Sequence, residues 1–208
     1  MMSRMTGAQR KIVWMAAAAI VLAALIVGAH QWKDFAQDTP DPSGANAPTG
    51  RMVDFACVDR SGQALRTSDL KGRFVVADFV FTSCSGMCPK LAAEMKTVQD
   101  AIADQRDVQI VSFTVDPDRD ATAIRAKYAD DHGFDPARWL FVRSEIGDLK
   151  KLMIDQLHLV SDTDPILHTD RFVLFDPSGE ARGVYKPLED EGWRTKLFAD
   201  LGRLRAAH

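Results

Sequence analysis

Two cysteines, Cys84 and Cys88, lie in the run Phe81-Thr82-Ser83-Cys84-Ser85-Gly86-Met87-Cys88-Pro89, between an apolar stretch of strand character and a segment of helical spacing. Such a turn puts both thiols beside the unpaired N–H groups and positive dipole end of a helix, which favour negative charge. A thiolate is at once the nucleophile of disulfide exchange and a soft metal ligand. The pair can therefore hold electrons, as a reversible disulfide, or a metal ion. Redox turns of thioredoxin-like domains place two residues between their cysteines; here there are three. A metal site needs a further ligand, and soft thiolates select Cu(I), with an imidazole completing the shell.

The chain has five histidines. His30 and His208 lie beside the apolar N-terminal segment and at the C-terminus, His132 closes a helical segment, and His158 follows an amphipathic one. His168 precedes the strand-like run Arg171–Phe175, and in a thioredoxin-like sheet the loop before that strand comes close to the cysteine turn. His168 is therefore the expected third ligand. Two carboxylates are candidates for an outer shell. Asp78 interrupts an otherwise apolar strand, and Asp116 stands at a strand end in Val115-Asp116-Pro117. The third cysteine, Cys57, alternates with Phe55 and reads as a core residue. Met87 could lend a thioether to Cu(I), but packing against the domain or a partner explains it better.

The elements that position these residues follow from periodicity. Residues 52–58 and 64–66, around Asp59-Arg60-Ser61-Gly62, suggest a β-hairpin, and 67–70 a short helical turn. Residues 74–81 form a nearly continuous apolar run and 108–115 a second mostly apolar one, as in buried central strands. Leu91, Met95, Val98 and Ile102 recur at helical spacing, which predicts a helix over 89–104 with Pro89 at its first position. Asp120 is expected to cap a helix reaching His132, with Gly133 as its stop. A strand over 139–142, a helix over 144–157, a hairpin of 171–175 with 181–185 and a last helix over 192–205 complete the chain. This alternation predicts an α/β fold with a central sheet covered by helices on both faces.

The N-terminus speaks to location. Residues 12–29 contain no charge and approach the ~20 apolar residues that span a bilayer as a helix. Arg4, Arg10 and Lys11 precede them, so the positive-inside rule keeps residues 1–11 in the cytoplasm and exports the rest. The expected organisation is a cytoplasmic N-terminus over 1–11, a transmembrane anchor over 12–29, a flexible linker over 30–50 and a folded domain over 51–208. The alternative is a cleaved signal peptide, but no small-x-small cleavage site follows Gly28-Ala29. Residues beyond 33 carry 22 basic and 29 acidic side chains, a balance that argues against nucleic-acid binding.

An apolar N-terminal segment, Phe81-x-x-Cys84-x-x-x-Cys88-Pro89, Val115-Asp116-Pro117-Asp118-Arg119-Asp120 and a late His before Asp-Pro-x-Gly together resemble the Sco/SenC family of copper chaperones, over roughly residues 52–205. The resemblance implies a thioredoxin-like domain that binds a copper ion through Cys84, Cys88 and His168. It implies a role in maturing the binuclear copper site of cytochrome c oxidase subunit II, from the periplasmic face of a bacterial inner membrane. Other periplasmic copper chaperones or thiol reductants are the further partners to expect. That family commonly carries Pro and then an acidic residue after the first Cys, where this chain has Ser85 and Gly86. A thiol–disulfide oxidoreductase acting on the oxidase's cysteines is the alternative function, with Cys84 and Cys88 as its redox disulfide.

Overall fold

A computed structural model of the chain describes residues 50–161 and 169–207. The apolar run 12–29, the linker 30–49 and His168 lie outside the described residues. Among the described residues, no helix is long and apolar enough to cross a membrane.

The chain opens with the hairpin β1 (Ala56–Val58) and β2 (Ala64–Arg66), paired antiparallel, and a 3-10 turn over Thr67–Leu70. A second sheet follows, with β3 (Phe74–Val80), β4 (Val108–Thr114), β5 (Trp139–Val142), β6 (Phe172–Phe175) and β7 (Ala181–Tyr185) in the order β5-β4-β3-β6-β7. β3, β4 and β5 run parallel; β6 and β7 run antiparallel to their neighbours. The helices are α1 (Met87–Ala101), α2 (Thr122–Asp131), α3 (Ile146–Lys150) and α4 (Trp193–Ala206).

Every side chain of β3 and β4 is buried, which is why their sequences read as mostly apolar runs rather than alternating ones, broken by the buried polar residues Asp78, Gln109, Ser112 and Thr114. Successive side chains point to opposite faces. Phe74, Val76 and Val80 pack with Leu91, Met95 and Val98 of α1 and Trp193, Leu197 and Leu201 of α4. Val75, Ala77 and Phe79 pack on the other face with Phe55, Cys57, Leu149, Leu152 and Met153. The expected two-sided α/β sheet is thus present, and the hairpin covers one of its faces. Cys57 and Phe55 are both buried there.

Three local expectations need correction. α1 begins at Met87, so Cys88 is its second residue and Pro89 its third. The first four N–H groups of a helix lack helical partners, so proline is tolerated anywhere in that turn. α2 is not capped by Asp120: its cap position is Ala121, with no side-chain bond, and Asp120 turns inward instead. The segment expected as one helix over 144–157 is α-helical only to Lys150 and widens to a π-helix over Lys151–Gln156. There Leu157 N–H donates to Leu152 C=O at 3.0 Å, five residues back. Gly133 does stop α2, at φ +70°, a conformation that glycine adopts freely.

Candidate metal centre

The cysteine turn leaves the C-terminal end of β3, the end at which parallel strands deliver ligand-binding residues in open α/β sheets. Cys84 N–H donates to Phe81 C=O at 3.3 Å and closes the turn. At the other end Gly86 occupies the cap position of α1 without a side-chain bond. The orphan donor of Cys88 goes to sulfur instead: its N–H points at Cys84 Sγ from 3.4 Å. The same helix start supplies one thiol and solvates the other.

This makes the two sulfurs unequal. Partial burial opposes ionisation of Cys84, but the Cys88 thiol and the N–H groups of Cys88, Gly86 and Met87 outweigh it and hold its pKa below the usual thiol range. Cys88 is buried among the core residues of α1. Burial, and then its bond to Cys84, push its pKa up to about 12. Burial does the same to Cys57, again to about 12. Iodoacetamide is therefore expected to modify Cys84 first in the native protein near neutral pH, with Cys88 and Cys57 reacting only after unfolding. Peptide mass spectrometry over a time course checks this, and equal rates at the three sites would contradict it.

The other expected site residues lie as follows. Asp78 sits in β3 on the face covered by α1, and it is only 1% exposed. Neither of its carboxylate oxygens has a hydrogen-bond partner. Ser112 stands opposite it on β4, and the Ser112 hydroxyl accepts from Trp139 Nε1 at 2.8 Å. Burial pushes the Asp78 pKa up to about 7, and its charge adds to the upward shift of Cys88. Asp116 turns its carboxylate to Arg119 Nη1 at 3.2 Å, while its N–H donates to Thr114 Oγ1 at 3.1 Å. His132 Nδ1 lies 2.9 Å from Tyr128 C=O, with its ring stacked on that tyrosine, and His158 is exposed. Among the described residues no three His, Cys, Asp or Glu side chains converge as a metal site. The pair Cys84 and Cys88 is thus the donor set that the turn itself supplies, soft and oriented for a thiophilic cation.

Sequence reasoning did not connect the groups that hold the turn in place to it: Asp120 read as a helix cap, and Thr82, Thr114 and Arg125 carried no assigned role. Thr82, two residues before Cys84, donates its N–H to Asp120 Oδ2 at 3.1 Å and its hydroxyl to Asp120 Oδ1. Thr114, at the end of β4, donates its hydroxyl to the same carboxylate. Arg125, fully buried, donates to the carbonyl oxygens of Asp120 (2.6 Å), Val58 (3.0 Å) and Asp59 (2.8 Å). Thr82 and Thr114 adjoin apolar runs as polar residues, whereas Asp120 and Arg125 lie in a polar stretch that gives no sign of their burial.

Comparison with known proteins gives this geometry its context. The SCO1 protein homolog of Bacillus subtilis (strain 168) is 30% identical over 142 residues, 65% of this chain and 74% of the relative. The crystal structure of a SCO1/SenC family lipoprotein from Bacillus anthracis shares 27% identity and a TM-score of 0.69, across 77% of this chain and 98% of that one. A structure of Bradyrhizobium japonicum ScoI with copper bound shares 25% identity and a TM-score of 0.59, across 75% and 99% of the two chains. The SCO1/SenC family model matches residues 44–201, which take in the cysteine turn, the sheet that carries it and the loop before β6. On that match and the shared fold, this chain belongs to the SCO1/SenC family.

Proposed function

We propose that this domain is a copper-binding assembly factor for cytochrome c oxidase, which carries a copper ion on Cys84, Cys88 and His168 and delivers it to the binuclear copper site of subunit II. The observation that carries the reading is the helix-start N–H of Cys88 directed at Cys84 Sγ. It favours a thiolate next to a second thiol, the soft donor pair that a copper carrier needs. The family relative from Bradyrhizobium japonicum with copper bound supports the choice of metal. Two thiolates and one neutral imidazole around Cu(I) leave a net charge of about −1, and the metal leaves by exchange onto the thiolates and imidazoles of the acceptor. Residues 12–29 act as a membrane anchor in this reading and hold the domain near a membrane-embedded acceptor, which raises its effective concentration there.

Removal of the third ligand tests the site. His168→Ala is expected to weaken Cu(I) binding by more than the about 10–100-fold typical of outer-shell losses, with thermal unfolding unchanged. Competition against a chromophoric Cu(I) chelator measures it, and wild-type affinity in the variant would remove His168 from the site.

The unequal thiols favour a second reading, a thiol–disulfide reductase. Cys84 thiolate attacks a disulfide of the oxidase subunit, one partner thiolate leaves, and Cys88 then displaces the second. Two electrons pass to the partner, which ends as a dithiol, while Cys84 and Cys88 end as a disulfide. This chemistry has no use for His168. Full restoration of oxidase assembly by His168→Ala in a strain lacking the wild-type protein would favour it over copper delivery.

A further inference from the structure

We propose that Asp120 is a positioning residue for the cysteine turn, and that its buried carboxylate clamps Thr82 so that Cys84 is presented in one direction. The inference deepens the reading of Cys84 and Cys88 as a copper-ligand pair and rests on it.

The carboxylate is fully buried, and the sequence around it looks like a helix cap, but it caps nothing. Its oxygens take the Thr82 N–H, the Thr82 hydroxyl and the Thr114 hydroxyl. A polar group withdrawn from water is tolerated where hydrogen-bond partners replace its hydration. Those donors come from two places: the foot of the cysteine turn and the end of β4. The guanidinium of Arg125 lies on the Asp120 carbonyl rather than on the carboxylate, and it ties the same residue to the hairpin through Val58 and Asp59. Asp120 is therefore fixed from behind and acts forward on Thr82.

The turn needs such a hold. From Ser83 to Gly86 it contains two serines and a glycine around Cys84, with Ser83, Ser85 and Gly86 exposed and no proline to stiffen them. Ordering such a segment costs conformational entropy. α1 fixes the turn from Met87 onward, and the Asp120 clamp fixes it at Thr82, which leaves four residues between two anchors. A ligand pair so pre-ordered loses less freedom when it closes on a metal.

The test uses the full-length protein with Thr82→Val, Thr82→Ser and Asp120→Asn. In the metal-free state, amide exchange over 82–86 is expected to speed up at least about tenfold in Thr82→Val and Asp120→Asn, with protection of β3 and β4 retained. Thr82→Ser, which keeps the hydroxyl, should exchange like wild type. Cu(I) affinity, read by chelator competition, should fall about tenfold or more in Thr82→Val, within the range of outer-shell losses, and recover in Thr82→Ser. Thr82→Val keeps the buried acid and the shape of the side chain, so it decides the matter even where Asp120→Asn fails to fold. Unchanged exchange in Thr82→Val would overturn the clamp. Faster exchange with unchanged Cu(I) affinity would overturn the positioning role and leave a structural contact. A wild-type protein that binds no Cu(I) overturns the copper reading and the positioning role with it, while exchange alone still decides whether the clamp exists.

Discussion

Replacing Cys84 with serine is expected to abolish measurable Cu(I) binding, and Cys88→Ala to do the same, although the two changes should affect the fold differently. A serine hydroxyl is a hard, neutral donor at neutral pH and cannot replace a thiolate on a soft cation. The loss should exceed the about 10–100-fold that removal of an outer-shell partner costs. Cys84 is partly exposed, so serine there should shift stability by no more than about 0.5 kcal/mol. Cys88 is buried in the α1 core, and alanine there removes packed sulfur, at a cost of about 1 kcal/mol. Chelator competition and thermal melting on the same samples separate the two effects. Cu(I) affinity within tenfold of wild type in Cys84→Ser would move the site away from the turn.

The same comparison bears on how much of this protein was legible in its sequence. The central strands were, because burial on both faces of β3 and β4 favours runs that are mostly apolar and β-branched. So was the buried face of α1, whose Leu91, Met95 and Val98, with Ile102 just past its end, all fall inside the core. The cysteine turn could be placed because a change of period from strand to helix brackets it. Asp120 was misread because the same residue type serves a cap or a buried acceptor. What separates them is Thr82 and Thr114, brought to it from other elements by the parallel pairing of β3 and β4. The π-helix was missed because Leu149, Leu152, Met153 and Leu157 fit an ordinary helical stripe. Its wider hydrogen bond, from Leu157 to Leu152, leaves no trace in residue type.

Asp78 gives the second large effect, and it is one of pH. Its ordinary value of 3.8 rises to about 7 in the folded domain through burial, whereas in the unfolded chain it titrates near 3.8. Between these values the folded state keeps a proton that the unfolded state releases. Its contribution is therefore fully favourable below about pH 4, is lost progressively as pH rises toward 7, and stays lost above that. At 1.36 kcal/mol per unit the loss approaches about 4 kcal/mol. Carboxylates held low by partners, such as the exposed Asp54 beside Arg66 and the half-buried Asp190 beside Lys196, act in the opposite sense as pH falls. Asp78→Asn isolates the term, because subtracting one denaturation curve from the other cancels the groups common to both. The variant should match the wild type within about 1–3 kcal/mol near pH 4, where both side chains are neutral and the amide has its own unmet bonds. Its advantage should then grow by about 4 kcal/mol by pH 8. A difference that stays constant from pH 4 to pH 8 would show that Asp78 does not titrate in this range. The size of the growth also measures what the fold gives up to keep a buried acid on the α1 face of β3, since an apolar residue at this point would carry no such pH-dependent cost.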